Sequence, residues 1–238
     1  MCNIESDGAS GLATLPEAVL KLLPTHPAAQ EGLQVALSSS TQAIVNHSVR
    51  TYLYALAYSS SPDLGKAAGQ DTALSPIFIE PHVLFVACIL HDLAITDAYD
   101  NTPGRFEVVG ANIAIQILQK HGVDEASRRE AWLAMTLHAT PGIAEHLGGT
   151  VGAMRLAIGT EFSGRSPPFE NMDSESRRVL QDGDLLPRLN IEKVLGDAVA
   201  RQGAKNPAKA PSASWAGLLV KSHLDNPEWQ GVNKAFGG

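Results

Sequence analysis

The segment CILHDLAITD, residues 88–97, places an imidazole and a carboxylate side by side where an apolar run ends. Residues 83–90 are apolar throughout and suit a helix buried in a core, and His91 and Asp92 follow them directly. Burying an unpaired carboxylate costs free energy, and a bound metal ion removes that cost. Consecutive residues point about 100° apart around a helix, so both can bind one ion only in a groove between helices. The pair therefore predicts a metal site between helices.

Two further histidines fall on the inward faces of predicted helices. His47 shares a stripe with Ile44, Thr51 and Tyr54, and His138 ends the segment EAWLAMTLH. By itself, a histidine on such a stripe is more often part of the core than a metal ligand. The remaining five histidines are expected at loops or helix ends, in contact with solvent: His26, His82, His121, His146 and His223.

Helical periodicity dominates the sequence, and no segment shows the sustained alternation of a strand. Apolar residues recur at three- and four-residue steps over 31–59. Further helices are predicted over 77–95, 105–121, 125–139, 143–160, 174–181, 187–200 and 215–223. Segments rich in Gly, Ser and Pro at 59–76, 163–174 and 201–214 are predicted to be surface loops. The predicted fold class is all-α, a helical bundle with a single metal site between its helices.

The composition narrows the classes of partner. The 238 residues have a net charge of −7 and contain no basic run or stripe, which argues against nucleic acid or an anionic membrane as a partner. The longest apolar run, about eight residues, is far shorter than the ~20 that cross a bilayer, and no secretory signal is visible. Two cysteines, Cys2 and Cys88, form no disulfide framework, and Cys88 is expected in the core. A cytoplasmic, reducing compartment is therefore expected.

Four short motifs, taken in their order along the chain, carry a resemblance to a known superfamily. They are NHSVR (46–50), LHD (90–92), FEVVGA (106–111) and LHATPGIA (137–144). Together they resemble the HD-domain superfamily of metal-dependent enzymes, and within it the cyanamide hydratase family, typical of fungi. The likeness extends from about residue 41 to about residue 165 and continues more weakly to the C-terminus. It implies an N-terminal extension over 1–30, an HD-domain core over 31–200, and a loop and C-terminal helix over 201–238 that pack on the core.

The resemblance implies four metal ligands. The family binds its ion with a histidine, the HD pair and a distal aspartate, and the matching positions are His47, His91, Asp92 and Glu161. Glu161 departs from the pattern because glutamate stands in place of aspartate. Glutamate binds zinc at the same distance, about 2.0–2.2 Å, but its extra methylene requires the helix to lie farther back or the carboxylate to bind differently. The rival candidates for this fourth position are Asp182 and Asp184 in QDGDLL.

The resemblance also bears on the number of metal ions. Dinuclear HD proteins have a histidine four residues before the glycine of the segment that matches FEVVG, and this chain has Phe106 there. A phenyl ring supplies no ligand for a second ion. One divalent ion is therefore expected, with zinc as the first choice.

Five further positions match family motifs around the ion: Asn46, Thr96, Asp97, Glu107 and His138. In the superfamily the histidine at the last position lies close to the metal, as an extra ligand or a substrate contact. His138 or Asp97 is expected to act as a base or proton shuttle. These positions also admit a structural role: Thr96 and Asp97 as a helix-end cap, and Glu107 as the partner of a ligand histidine.

The resemblance implies a metal-dependent hydratase that adds water to a small nitrile such as cyanamide and forms urea. The apolar residues of 83–90 and 132–137 suit a small neutral substrate. A phosphohydrolase of the same superfamily would need basic side chains around the metal, and no basic cluster accompanies Arg50 and Arg105. Recruitment to another small-molecule reaction in specialised metabolism stays open, as does a metal-stabilised binding protein without turnover. The oligomeric state, including a homo-oligomer, stays open as well.

Overall fold

This computed structural model describes residues 12–60, 77–163 and 166–226. These residues contain ten α-helices. No β-strand occurs among these residues, so the all-α prediction is confirmed. In chain order the helices are α1 Glu17–Leu20, α2 Pro27–Ser39, α3 Gln42–Ser59, α4 Pro81–Leu90, α5 Phe106–Lys120, α6 Glu125–Leu137, α7 Gly149–Ser163, α8 Ser174–Gln181, α9 Ile191–Lys205 and α10 Trp215–Asp225. Short 3₁₀ turns lie at Leu93–Ile95, Asp97–Tyr99, Ala144–Leu147, Phe169–Asn171 and Pro207–Lys209. None of the described helices is both long and apolar enough to span a membrane.

Helix α4 is surrounded by other helices. Pro81 occupies its first turn, where backbone N–H groups have no acceptor within the helix, so the N–H that proline lacks costs no hydrogen bond. Residues 83–90 are all buried, and the helix packs against α2, α3, α5 and α6. A helix that is apolar on every side is stable only when its neighbours cover it. The end of α4 is therefore held inside the bundle, and His91 and Asp92 follow it there.

The cysteine of α4 is a core residue. Cys88 is a free thiol and fully buried, as predicted. Burial raises the pKa of this thiol, so it stays protonated and packs as a small apolar side chain. Cys2 lies outside the described residues.

The helical pattern over 31–59 forms two helices. Ser40 is extended, with φ −113° and ψ 157°, and Thr41 accepts a hydrogen bond at Oγ1 from the N–H of Ile44, 3.4 Å away. An N-cap residue leaves helical geometry so that its side chain can satisfy a free N–H at the helix start. Helix α3 begins after this cap and packs against α4 and α7, with most of its residues buried.

Helix α7 begins later than the pattern over 143–160 predicts. Residues Ala144–Leu147 form a 3₁₀ turn, and Gly148 and Gly149 adopt φ of 63° and 52° before the helix proceeds. A Cβ at Gly149 would lie 2.3 Å from the carbonyl oxygen of Ile77. The N–H of Thr150 donates to the same carbonyl at 2.8 Å. Glycine therefore allows the chain at Ile77 to dock against the start of α7.

Segments at both ends of the described region join the core. Ala13, Val19 and Leu23 are buried in the main core cluster. The prediction of a surface loop over 201–214 is wrong in part, because α9 continues to Lys205 and the Lys209 side chain is buried. The physical reason is close packing through small residues. A Cβ at Gly203 would meet the side chains of Ala210 and Val220 within 2.6 Å.

Candidate metal centre

Three side chains meet in the interior of the bundle. His47 comes from the middle of α3, and His91 and Asp92 follow α4; potential ligand atoms of all three lie within 4.8 Å of one another. Nε2 of His47 is 3.2 Å from Nε2 of His91, and Oδ2 of Asp92 is 3.1 Å from Nε2 of His91 and 3.5 Å from Nε2 of His47. None of the three residues is more than 1% exposed. This buried group could hold a metal ion.

The end of α4 explains how two consecutive residues face one point. His91 is the last residue with helical geometry, and Asp92 has left it, with φ −105° and ψ 7°. Helix ends leave backbone carbonyls without intrahelical partners. Nδ1 of His91 donates to one of them, the Cys88 carbonyl, at 2.7 Å. The ring is thereby fixed with Nε2 directed towards Asp92 and His47.

Gly110 allows α5 to approach the end of α4. A Cβ at Gly110 would lie 2.8 Å from the carbonyl oxygen of Leu90 and 3.4 Å from that of His91. A side chain here would push α5 away from the backbone that carries the HD pair. This contact gives a structural reason for the glycine in the FEVVG segment.

His138 repeats the arrangement of His91 at the end of α6. It is the C-cap residue of that helix, and its Nδ1 donates to the Met135 carbonyl at 2.5 Å. Its Nε2 lies 3.7 Å from Oδ1 of Asp92, and its ring meets that of His91 edge-on, with centroids 4.9 Å apart. His138 therefore lies at the border of the cluster, with Nε2 facing the same carboxylate.

Glu161 lies on the far side of the His47 ring. Its Oε1 is 3.3 Å from Nδ1 of His47, whereas Nε2 of that ring faces His91 and Asp92. A carboxylate at Nδ1 is on the side of the ring away from an ion held by Nε2. The predicted fourth ligand, Glu161, is thus in contact with His47 and Arg50 and does not belong to the group formed by His47, His91 and Asp92.

The acceptor atoms of the cluster are arranged in a way that favours a bound cation. Nδ1 of each imidazole faces an acceptor: the Cys88 carbonyl for His91, the Met135 carbonyl for His138, and the Glu161 carboxylate for His47. Each Nδ1 therefore carries a proton, so in the neutral ring the Nε2 lone pair turns inward. With neutral rings, the two buried oxygens of Asp92 have no hydrogen-bond partner among the described residues, and the nearest ring atom is Nε2 of His91, 3.1 Å from Oδ2. Converging acceptors repel one another unless a cation lies between them, so these residues fit a divalent metal ion.

The pKa values of the cluster residues are shifted by burial and by the neighbouring charges. Burial lowers the pKa of His47, and it lowers the pKa of His138 to about 3, so both rings are neutral as metal ligation requires. Burial alone would lower the pKa of His91, but the Asp92 carboxylate raises it. Burial alone would raise the pKa of Asp92, but His91 holds it well below its usual range. The centre therefore favours a positive charge beside Asp92, which either a proton on His91 or a metal ion supplies.

Three more of the predicted residues have structural partners. Asn46 is buried, donates through Nδ2 to the Pro187 carbonyl at 2.9 Å and accepts from Gln42. Glu107 is buried and forms an ion pair with Arg105, so the predicted histidine partner is replaced by an arginine. Thr96 donates through Oγ1 to the Leu93 carbonyl at 3.0 Å, which fits a structural role for that residue.

The remaining carboxylates lie at the surface. The Asp97 side chain is 79% exposed and lies 3.6 Å from Arg201, so the structure does not bring it to the cluster as the predicted proton shuttle. The reason is the 3₁₀ turn at Asp97–Tyr99, which begins after the chain leaves the core. Asp182 and Asp184 are also exposed, and the backbone N–H of Asp184 donates to Oδ1 of Asp182 at 3.1 Å. Neither of these two rival candidates for the fourth ligand is therefore near the cluster.

Aromatic rings cover the cluster. Phe162 packs on His47 with ring centroids 5.0 Å apart, and Phe106 meets His138 at 5.8 Å. In the sequence, Arg50 bears only on the absence of a basic cluster for phosphate, and no pattern points to Phe162. A signal for the role of Arg50 is its spacing: three residues after His47, it lies on the same face of α3.

No protein-family model matches the chain, and no curated protein sequence matches it either.

Proposed function

We propose that this protein is a metal-dependent hydratase of the HD-domain superfamily, which adds water to a small nitrile such as cyanamide and forms urea. The observation that supports it most is the convergence of three Nε2 atoms, those of His47, His91 and His138, on the buried Asp92 carboxylate. A catalytic cation accounts for an arrangement that is otherwise costly. The four motifs of the sequence supply the reaction class.

His47, His91 and Asp92 would hold one divalent ion. Two imidazole nitrogens and a carboxylate oxygen suit zinc, which commonly takes three protein ligands in catalytic sites and keeps a position open. When bound, such an ion supplies Lewis acidity and activates water near neutral pH. Phe106 is buried beside His138 and offers no ligand, which supports a single ion.

The position of His138 supports a role in orienting a water molecule. Its Nδ1–H is used by the Met135 carbonyl, so its Nε2 keeps a lone pair 3.7 Å from Asp92. A neutral imidazole with a free lone pair can accept a hydrogen bond from water and orient its oxygen. Hydration of a nitrile adds oxygen to carbon and hydrogen to nitrogen, so a group that accepts and returns a proton assists both steps.

The side chains around the centre favour a small neutral substrate over a phosphate ester. Phe106 and Phe162 cover the histidines. The guanidinium of Arg50 is bound to Glu161, and that of Arg105 is bound to Glu107. Arginines that are already neutralised by carboxylates provide little binding energy for a phosphate.

Cyanamide conversion, measured with and without chelator, tests the proposal. We expect urea from the zinc-loaded protein, loss of urea formation after chelation, and recovery when zinc is returned. Phosphate release from nucleotides, without urea from cyanamide, would instead establish a phosphohydrolase. Stoichiometric metal without turnover of any small nitrile would establish a binding protein and overturn the proposal.

A further inference from the structure

The carboxylate behind His47 is held by two arginines. Nε of Arg50 lies 2.9 and 3.1 Å from the two oxygens of Glu161, and its Nη2 also contacts Oε1. Nη1 of Arg188 reaches the same oxygen at 3.3 Å. We infer that Glu161, clamped by these arginines, is a positioning residue that fixes the His47 ring and leaves Asp92 as the one carboxylate ligand among the predicted four.

We call the contact of Glu161 with Arg50 and Arg188 the clamp. The geometry of α3 makes it rigid. Arg50 follows His47 by three residues, so both side chains leave α3 on one face and meet Glu161 of α7. The remaining donors of Arg50 are also used: Nη1 donates to the carbonyls of Leu186 at 2.7 Å and Pro187 at 3.3 Å. The Arg50 side chain is 4% exposed and that of Glu161 is fully buried. A buried guanidinium with these donors satisfied has no freedom to release its carboxylate.

The clamp changes the chemistry of the centre in two ways. Glu161 shares its charge with Arg50, so it cannot bind the ion without leaving a buried guanidinium unpaired. A divalent ion held by His47, His91 and Asp92 then keeps one net positive charge, whereas a second carboxylate ligand would neutralise it. A carboxylate that accepts the Nδ1–H of a ligand histidine also fixes its tautomer and increases its basicity at Nε2.

Arg188 attaches the clamp to the surface. Its side chain is 44% exposed and also pairs with Glu192 at the start of α9. The two residues that follow, Leu189 and Asn190, have φ of 51° and 54°, which L-residues seldom adopt. Because solvent screens Arg188, we expect it to contribute much less to the position of Glu161 than Arg50 does.

Cobalt(II) absorption and histidine NMR distinguish a positioning residue from a ligand. The inference rests on the metal centre of the proposed function but not on the reaction. Glu161→Gln should keep one cobalt per chain with an unchanged visible spectrum, and weaken binding about 10–100-fold. Long-range ¹H–¹⁵N spectra of the zinc form should show an altered Nδ1–H resonance of His47 alone. A changed cobalt spectrum or complete loss of binding would make Glu161 a ligand and overturn the inference.

Glu161→Asp separates the two roles most clearly. Aspartate is the residue that the family uses as a ligand, so it should bind the ion as well as the native protein does, or better, if this position ligates. A positioning residue shortened by one methylene loses contact with either His47 or Arg50. We therefore expect Glu161→Asp to weaken cobalt binding to a similar extent as Glu161→Gln, and equal or tighter binding would refute the clamp.

The matched variants control for folding. Arg50→Met leaves a buried carboxylate with less compensation and should lower the melting temperature more than the double variant Arg50→Met/Glu161→Gln, which removes both charges. The double variant should still bind cobalt with the native spectrum. Arg178→Met, which removes an exposed arginine paired with Glu175 in α8, should leave cobalt affinity unchanged.

The outcome for the native protein separates the two proposals. Native protein that binds no cobalt or zinc contradicts the proposed function. Native protein that binds cobalt, together with a spectrum that changes in Glu161→Gln, contradicts the clamp alone.

Discussion

Each imidazole of the centre is fixed by a hydrogen bond from Nδ1 to the surrounding protein. Two of the acceptors are backbone carbonyls three residues before His91 and His138 in the chain, and the third is the carboxylate of Glu161. Such partners determine which ring nitrogen is free before any ion binds. The geometry of the lone pairs is therefore a property of the folded chain itself.

His138 tests which residues hold the ion and which act beside it. We expect His138→Gln to retain about one zinc per chain and to lower the rate of cyanamide hydration by roughly 10²–10⁴-fold, the usual contribution of a positioned acid or base. Metal content and urea formation measured on the same sample check this. His223→Gln, on an exposed residue of α10, is the control. Loss of zinc from His138→Gln would show that the residue is itself a ligand.

How much of the site is predictable from sequence differs between residues. His91 and Asp92 stand out because a carboxylate at the end of an apolar run has few structural explanations, whereas His47 is singled out only by its family motif. The position of Glu161 on the Nδ1 side of His47 is not predictable, because spacing along a helix shows which face a residue occupies but not which side of a neighbouring ring it meets. Its position depends on Arg50 and on the carbonyls of Leu186 and Pro187, which are 136 and 137 residues away from Arg50 in sequence.

At the scale of helices, the centre depends on where elements end. Helices α4 and α6 stop at the residues whose rings face Asp92, so the Nδ1 atoms of His91 and His138 find free carbonyls there. Apolar periodicity predicts both helices, but it extends them to residues 95 and 139, beyond their ends at Leu90 and Leu137. It also misses the cap at Thr41. Ends are set by caps and by contacts between distant segments, and periodicity does not report such contacts.

Gly110→Ala probes the contact between α5 and the end of α4. The added Cβ would lie 2.8 Å from the Leu90 carbonyl, so we expect a loss of about 1–3 kcal/mol in the free energy of unfolding and weaker zinc binding. Chemical denaturation and zinc titration measure the two effects. Gly196→Ala in α9 is the matched control: nothing lies within 4 Å of its Cβ, and helix propensity predicts a gain of up to about 1 kcal/mol. Equal stability of the two variants would contradict the proposed close approach.

A second element-scale prediction concerns the starts of α2 and α4. His26 caps α2 by accepting from the N–H of Ala28, and its ring stacks on that of His82 at 4.0 Å. Burial and the neighbouring His26 lower the pKa of His82, although Glu80 opposes this. His121, which pairs with Glu31, faces His26 from the end of α5.

The sign of the pH effect follows from the lowered pKa. The unfolded chain binds a proton at His82 more readily than the folded chain does, so this contribution to stability is complete above about pH 6.5 and is lost as the pH falls below that value. We expect His82→Gln to reduce the loss of stability between about pH 7 and about pH 5, measured by urea denaturation in the presence of chelator. Identical pH dependence in the native protein and the variant would rule out His82 as the cause.

At the scale of the whole molecule, an ion would link segments far apart in the chain. His47 and His91 are 44 residues apart and belong to different helices, and both are buried. Because the unfolded chain lacks this arrangement, an ion that binds the folded form adds stability by mass action, about 2.7 kcal/mol at a free concentration roughly 100 times Kd. We expect chelator to lower the melting temperature and zinc to restore it. His91→Ala should melt at one temperature in both conditions, and a zinc-dependent rise in that variant would contradict the assignment.

The near-complete burial of the centre has a consequence for the rate at which a bound ion exchanges. None of the three ligand residues is more than 1% exposed and His138 is 4% exposed, so an ion or a substrate would reach the centre when the helices around it move apart. Exchange of bound zinc with labelled zinc would then follow the rate at which the helices separate, which temperature and denaturant accelerate, and would depend little on the concentration of competing ions. Bound zinc would then leave slowly, and the molecule would keep its ion through brief shortages.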